Sequence, residues 1–312
     1  MQSKSQSIQL NGYDFSISKI STLAIDLIKS LRPAQWSKNL LLFAGLTFSH
    51  NLFSMAIILK VVLGFTIFCF LSGCIYIIND LVDLDKDRYH PIKCHRPLAA
   101  GKLTPILAIQ FTISVFVISS ISAYFLDSFF AMICLVYVTL MVSYSLLLKN
   151  IAILDVIIIA IGFVLRAMAG AVLIDVEISP WLLVCTLFLS LFLALAKRRH
   201  EMTLLAHNAT NHRDSLSAYN TTLLDQMIVI VTTSTLLAYT LYTLAPRTKE
   251  IVGTSNLFIT IPFVLYGIFR YLYLIYHKNE GGRPEILIFS DKSLMINLIL
   301  WVIFVIMVLY FK

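Results

Sequence analysis

Residues 56–87 read AIILKVVLGFTIFCFLSGCIYIINDLVDLDKD, an apolar run that breaks at its end into Asp80, Asp83, Asp85 and Asp87. A hydrocarbon core of about 30 Å takes roughly 20 apolar residues per helix. The run from 56 to 78 meets that length with Lys60 as its one charge. It predicts a transmembrane helix that delivers a row of carboxylates to the membrane boundary. Outward from it the pattern recurs near 37–50, 104–126, 129–147, 151–174, 180–197, 225–245, 256–277 and 292–311, which makes nine expected spans.

Composition agrees. The 312 residues are 59% hydrophobic and 13% charged, whereas soluble chains hold about 45–50% apolar and about 25% charged residues. The fold class expected is an all-α integral membrane protein, and a large soluble catalytic domain is excluded. Cys69, Cys74, Cys134 and Cys185 lie singly in apolar runs and only Cys94 sits in a polar loop, so no disulfide framework or zinc site follows.

The net charge of +7 reads as topology rather than as nucleic-acid binding. Alternate connections place the N-terminal residues, the 79–102 loop, Lys149, the 197–213 loop and the 278–292 loop on one side. The other side holds little beyond Lys60, Arg247, Lys249 and Lys312. Basic loops face the cytoplasm, so the N-terminus is expected inside and the C-terminus outside. Residues 1–30 open with the polar MQSKSQSIQLNGYDF and have no signal-peptide core; they are expected as a mobile cytosolic tail.

Four of the chain's 17 acids fall between Asp80 and Asp87. On a continuing helix Asp80, Asp83 and Asp87 share one face, and Asp85 points away. Three carboxylates on one face repel unless a cation compensates them, and an all-oxygen set suits Mg²⁺, which takes one or two carboxylates together with waters and phosphates. The competing reading is a solvated acidic helix end. A basic run, RYHPIKCHRPLAAGK (88–102), follows at once. Lys93 and Arg96 suit phosphate oxygens, or serve only as positive-inside signals. His90-Pro91 reads as a helix-entry device, since no metal-ligand spacing accompanies it.

Asp155 and Arg166 lie inside one span, eleven residues apart. They share a face but stand too far apart to pair, so each needs a partner on another element. The sixth span ends in Lys197-Arg198-Arg199-His200-Glu201, where Lys197 and Glu201 are spaced for a helix-end salt bridge.

Asn79 to Asp87 fits the NDxxDxxxD motif of the UbiA superfamily of intramembrane prenyltransferases, which the chain resembles. RPAQWSKN (32–39), HPIKCHRPLAAG (90–101), YSLLLKN (144–150) with Asp155 and Arg166 beyond, the KRRHE cluster and GGRPEILIFSD (281–291) narrow the resemblance. They resemble the branch that transfers 5-phosphoribose to polyprenyl phosphates. The resemblance implies a nine-helix bundle around a central cavity open to the cytosolic side, with residues 31–312 as one catalytic domain in the inner membrane. Implied partners are 5-phosphoribosyl 1-diphosphate (PRPP), a polyprenyl monophosphate and the lipid bilayer, with no nucleic acid; a homo-oligomer stays compatible.

Under that resemblance Asp80, Asp83 and Asp87 hold Mg²⁺ as the catalytic set. Asn79, Lys93, Arg96, Tyr144, Lys149, Lys197, Arg198 and Glu201 bind the donor's phosphates, and Gln35, Lys38, Asn39 and Arg166 the lipid phosphate. Prenyltransferases of the superfamily carry a second aspartate motif, but here the corresponding loop offers Lys197, Arg198, Arg199, Glu201, Arg213 and the single acid Asp214. That departure favours a donor with one more phosphate over a prenyl diphosphate. Lys197 and Arg198 are expected to face the cavity, with Glu201 orienting Lys197. The alternative is a prenyl transfer to an aromatic acceptor. A transporter lacks the paired Gly/Pro-interrupted helices expected of inverted repeats, and a scaffold leaves the clustered acids unexplained.

Overall fold

The computed structural model describes residues 11–48, 53–177, 179–205, 218–278, 280–282 and 284–310, and every regular element among them is a helix. Helix α1 covers Asn11–Ser30. A 3-10 helix, Pro33–Phe43, leads into α2, Ala44–Phe48, and α3 follows as Met55–Val82 with α4 as Leu84–Arg88. Next come α5 (Pro105–Leu126), α6 (Ser128–Leu146), α7 (Leu154–Leu173), α8 (Pro180–Leu205) and α9 (Thr221–Leu244). The chain ends in α10 (Pro246–Val252), α11 (Ile261–His277, behind a 3-10 turn at Asn256–Thr260), α12 (Pro284–Ser290) and α13 (Lys292–Tyr310).

Eight of these helices are long and apolar enough to cross a bilayer: α3, α5 to α9, α11 with its leading turn, and α13. They answer the last eight expected spans. The first, 37–50, lies instead on the 3-10 segment and α2, with residues 49 and 50 outside the described set. From Asn11 onward the expected tail is helical, and Asp26, Ser30 and Leu31 are buried where α1 meets the bundle. Helices α3 and α8 run past their hydropathy limits, to Val82 and Leu205. Hydropathy registers the thickness of lipid, while the i to i−4 hydrogen bonds of a helix continue beyond it.

Polar residues at the breaks punctuate the chain. Thr104 accepts from Leu107 N–H ahead of Pro105, Asp127 caps α6 through Phe130 N–H at 3.0 Å, and Asn220 caps α9 through Leu223 N–H at 2.7 Å. Two cores result. One joins Phe68 and Leu71 of α3 to Phe130 and Tyr137 of α6 and Leu173 of α7; the other joins Phe192 of α8, Leu224 and Ile228 of α9 and Leu274 of α11.

The 3-10 segment packs so closely on α7 that a Cβ at Gly170 would stand 2.0 Å from the Leu42 carbonyl oxygen. That contact is backbone and has no flexible end to yield. Gly170→Ala is therefore expected to lower the thermal midpoint in detergent by the equivalent of about 1–3 kcal/mol of overpacking. An unchanged midpoint would mean that the segment sits more loosely than described.

Candidate functional site

The acidic row does not stay on one uninterrupted helix. Helix α3 ends at Val82, Asp83 sits between helices at φ −95, ψ 11, and α4 begins at Leu84. The i to i−4 bonding nevertheless bridges the break, with Asp83 N–H to Asn79 C=O at 3.0 Å and Asp87 N–H to Asp83 C=O at 2.8 Å. The common face expected of Asp80, Asp83 and Asp87 is thereby kept. Asp85 points outward, 89% exposed at its side chain and paired with Arg88 at 3.3 Å.

Each inward carboxylate is matched by cations of the chain itself. Asp80 accepts from Arg32 and, at 2.9 Å, from Arg96. Asp87 accepts from Arg96 and stands 3.4 Å from Lys93 Nζ. Lys149, buried on the short 3-10 turn after α6, straddles Asp83 with Nζ 2.7 and 2.8 Å from the two oxygens. Four cations thus balance three carboxylates in a partly buried site, where an unpaired charge is costly. His90 organises the loop between them: its Nδ1 accepts from Ile92 N–H at 3.1 Å and Lys93 N–H at 3.3 Å.

Arg32 is the member that the sequence did not single out. It has φ 52, ψ 65, in the left-handed region, and its guanidinium lies 4.8 Å from the Tyr76 ring centroid. Its place directly before Pro33 was the available signal, because a residue ahead of proline is driven out of the right-handed helical region.

A second cluster lies at the start of α7. Asp155, fully buried, accepts from Arg198 Nε at 2.7 Å and from the Tyr219 hydroxyl at 2.8 Å. Arg198 also reaches Glu201 at 2.6 Å through Nη1. This is the partner Asp155 required; Arg198, expected at the donor's phosphates, is buried in that ion pair, and Glu201, expected to orient Lys197, bonds to Arg198. Consecutive helix positions turn by about 100°, so Lys197 is exposed, while Arg199 turns to Asp225 at 2.6 Å and lies over the Tyr276 ring at 4.2 Å. Burial, and the bond to Asp155, raise the Tyr219 hydroxyl above the usual phenol range, so it stays a proton donor. Arg213 and Asp214 lie outside the described residues.

Asn39 and Arg166, expected at the lipid phosphate, are both buried. Arg166 is buried about three turns along α7 from Asp155, roughly 16 Å at 1.5 Å per residue. It donates to Asn39 Oδ1 at 2.7 Å, Tyr137 Oη at 2.7 Å and Gly162 C=O at 2.9 Å, and it lies against Phe68, Tyr137 and Phe163. Asn39 in turn donates to Ser72 Oγ at 3.1 Å. These contacts tie the 3-10 segment to α3, α6 and α7, and the aromatic faces stabilise a cation away from water. Gln35 and Lys38 are half-buried on the 3-10 segment, Asn79 is half-buried beside Asp80, and Tyr144 is half-buried on α6. His200 packs on the backbone of Gly281 and Gly282, where a Cβ at Gly282 would fall 2.4 Å from its ring.

Among the described residues no three acidic, histidine or cysteine side chains close around a common point as a metal cage. An open row of carboxylates still fits Mg²⁺, whose remaining ligands are ordinarily waters and substrate phosphates.

A model of the UbiA prenyltransferase family matches residues 39–290. The decaprenyl-phosphate phosphoribosyltransferase of Corynebacterium glutamicum is 32% identical over 294 residues, covering 92% of this chain and 88% of that protein. The enzyme of the same name from Mycolicibacterium smegmatis is 32% identical over 293 residues, covering 90% and 91%. Among solved structures, a UbiA homolog from Archaeoglobus fulgidus bound to GPP and Mg²⁺ superposes with a TM-score of 0.69 at 18% identity, covering 91% of this chain and 99% of that one. At that identity the likeness speaks for the fold.

Proposed function

The chain belongs to the UbiA prenyltransferase family, a multi-pass membrane protein by its eight apolar helices, and on that footing we propose that it transfers 5-phosphoribose from PRPP to a polyprenyl monophosphate. The products are polyprenyl-phosphoryl 5-phosphoribose and diphosphate, a lipid-linked pentose for cell-envelope polysaccharide. The observation that carries this reading is the cationic complement of the site: Arg32, Lys93, Arg96 and Lys149 line the acidic row. The relatives that match most of the chain, named for this transfer, support it.

Asp80, Asp83 and Asp87 would hold Mg²⁺, which when bound supplies charge neutralisation for the departing diphosphate. Arg32, Arg96, Lys93 and Lys149 would then exchange their carboxylate partners for donor phosphate oxygens, the arginines through their planar forks and the lysines as point charges. Asn79 and Tyr144 we assign to the same donor phosphates, and the exposed Lys197 to the 5-phosphate. Breaking the C1 to diphosphate bond passes through an oxocarbenium-like transition state, so these cations act by stabilising the leaving group. The acceptor phosphate is anionic at neutral pH and attacks without a general base. Arg198 and Glu201, bonded to Asp155 and to each other, would support the site without touching the donor.

The lipid would approach from the side of the bundle. A groove lined by Ala34, Ser37, Ile286, Phe289 and Ser290 opens beside Gln35 and Lys38, which we assign to the lipid phosphate. The site would face the cytosol, on the side where the basic loops gather.

The test is purified protein with Mg²⁺, polyprenyl phosphate and either labelled PRPP or a labelled prenyl diphosphate with aromatic acceptors. Label from PRPP should enter the lipid, and the prenyl diphosphate should remain unused. Transfer from the prenyl diphosphate alone would replace this reading with a prenyltransferase.

A further inference from the structure

Ile153 stands where an isoleucine is rarely found. Its φ of 71 and ψ of −49 lie outside the regions open to β-branched residues. The Leu154 N–H bonds back to Ala152 C=O at 2.8 Å, which makes a strained γ-turn centred on Ile153. Burial does not explain the strain, because the residue is 48% exposed. A strained backbone persists where its surroundings over-determine it.

The Ile153 C=O accepts from the Val156 and Ile157 N–H groups of α7, and its N–H is held by a side chain from another element. Ile153 N–H donates to Tyr219 Oη at 2.6 Å, and the same oxygen sends its single proton to Asp155 Oδ1 at 2.8 Å. Asp155 is anchored by Arg198, and Arg198 by Glu201. Each donor and acceptor in this chain has only one way round, since guanidinium only donates and carboxylate only accepts. Tyr219 itself is buried among Val156, Ala196 and Leu224.

Lys149 lies four residues before the strained turn, and the intervening backbone runs through hydrogen-bonded turns. Asn150 N–H bonds to Leu147 C=O, Ile151 N–H to Leu148 C=O at 3.2 Å, and Asp155 N–H to Ile151 C=O at 3.0 Å. A displacement at Ile153 is therefore passed back along a run of tight turns to Lys149, whose ammonium bridges both oxygens of Asp83.

We propose that Tyr219 is a positioning residue for the donor site: its hydroxyl holds the Ile153 turn and thereby sets Lys149 over Asp83. The proposal rests on the reading of Lys149 as a ligand of the donor's phosphates. It gives the Asp155–Arg198–Glu201 cluster the role of a fixed abutment for the phosphate site.

Tyr219→Phe keeps the ring and removes the hydroxyl. Its KM for PRPP should rise about tenfold, the scale of one lost hydrogen bond at a binding site, while kcat and the KM for polyprenyl phosphate stay within about twofold. Adding Ile153→Gly to that variant should bring the PRPP KM back to within about threefold of wild type, because glycine adopts positive φ without the Cβ penalty. A purely structural role, in packing or in satisfying Asp155, would not be rescued from residue 153. An unchanged PRPP KM in Tyr219→Phe, or a raised one that glycine does not restore, overturns the proposal. If the single variant does not fold, the double variant decides by the same KM, and failure of both to fold also overturns it.

Melting midpoints of wild type, Tyr219→Phe, Ile153→Gly and the double variant need no substrate. Glycine at 153 should raise the midpoint more in wild type, where the hydroxyl holds the strained turn, than in the Tyr219→Phe background, where the turn is free to relax, and equal shifts would count against the restraint. A wild-type protein that transfers nothing from PRPP would instead defeat the functional reading, with the melting comparison still deciding the coupling of Tyr219 to Ile153.

Discussion

Asp83→Asn and Asp87→Asn are each expected to reduce phosphoribosyl transfer by on the order of 10²–10³-fold, the scale at which removal of one preorganised electrostatic group acts on a charge-separating step. Each substitution removes a carboxylate that we propose holds Mg²⁺, and each takes a counter-charge from a cation: Lys149 above Asp83, and Lys93 above Asp87, where Arg96 keeps Asp80. In Asp85→Asn the change falls on a side chain turned to solvent against Arg88, so its rate should stay within about twofold of wild type. The measurement is initial rate at saturating Mg²⁺ and PRPP, with the melting midpoint of each variant recorded alongside. Equal losses in all three, with folding intact, would remove the distinction between the inward face and Asp85 on which the site is built.

The second large effect is on stability. Arg198→Ala would leave Asp155 buried with Tyr219 as its remaining side-chain partner. Breaking one partner out of a buried pair costs about 3–5 kcal/mol, because the stranded charge keeps its desolvation penalty. A collapse of the melting midpoint, or failure to accumulate folded protein, is therefore expected. Asp155→Asn should be milder, since Arg198 retains Glu201 as its counter-charge. Adding Asp155→Asn to Arg198→Ala should recover part of the loss, because the stranded charge is then gone. An Arg198→Ala protein with an unchanged midpoint and a raised KM for PRPP would instead return Arg198 to the donor's phosphates, as the basic KRRHE cluster alone suggested.

The membrane-spanning helical architecture was legible in the sequence because lipid thickness imposes a length on every apolar run. The run from 56 to 78 required no knowledge of its neighbours. The acidic face was legible for a similar reason: Asp80, Asp83 and Asp87 are close along the chain, and helical spacing alone aligns them even though α3 breaks between Val82 and Leu84. The turn at His90-Pro91 is likewise local, settled by residues within a few positions of one another.

What the sequence left open are the partners. Lys149 meets Asp83 across 66 positions, Arg198 meets Asp155 across 43, Arg32 meets Asp80 across 48 and Arg166 meets Asn39 across 127. No periodicity encodes such pairings, because each depends on which helices lie side by side and on how each is rotated about its axis. Rotation is what turned Arg198 inward to Asp155 and Arg199 aside to Asp225, although the two are adjacent in the chain. It was packing that put Asn39 and Arg166 in the interior, through the close approach of the 3-10 segment to Gly170. The positive φ of Ile153 was equally invisible, since an isoleucine gives no sign of it; the side-chain bond to that turn comes from a tyrosine hydroxyl 66 positions away. The sequence by itself determined eight of the nine expected spans and the carboxylate row, which follow from local spacing. Tertiary packing decided which charge compensates which, because a buried charge takes its partner from whatever the neighbouring helix presents.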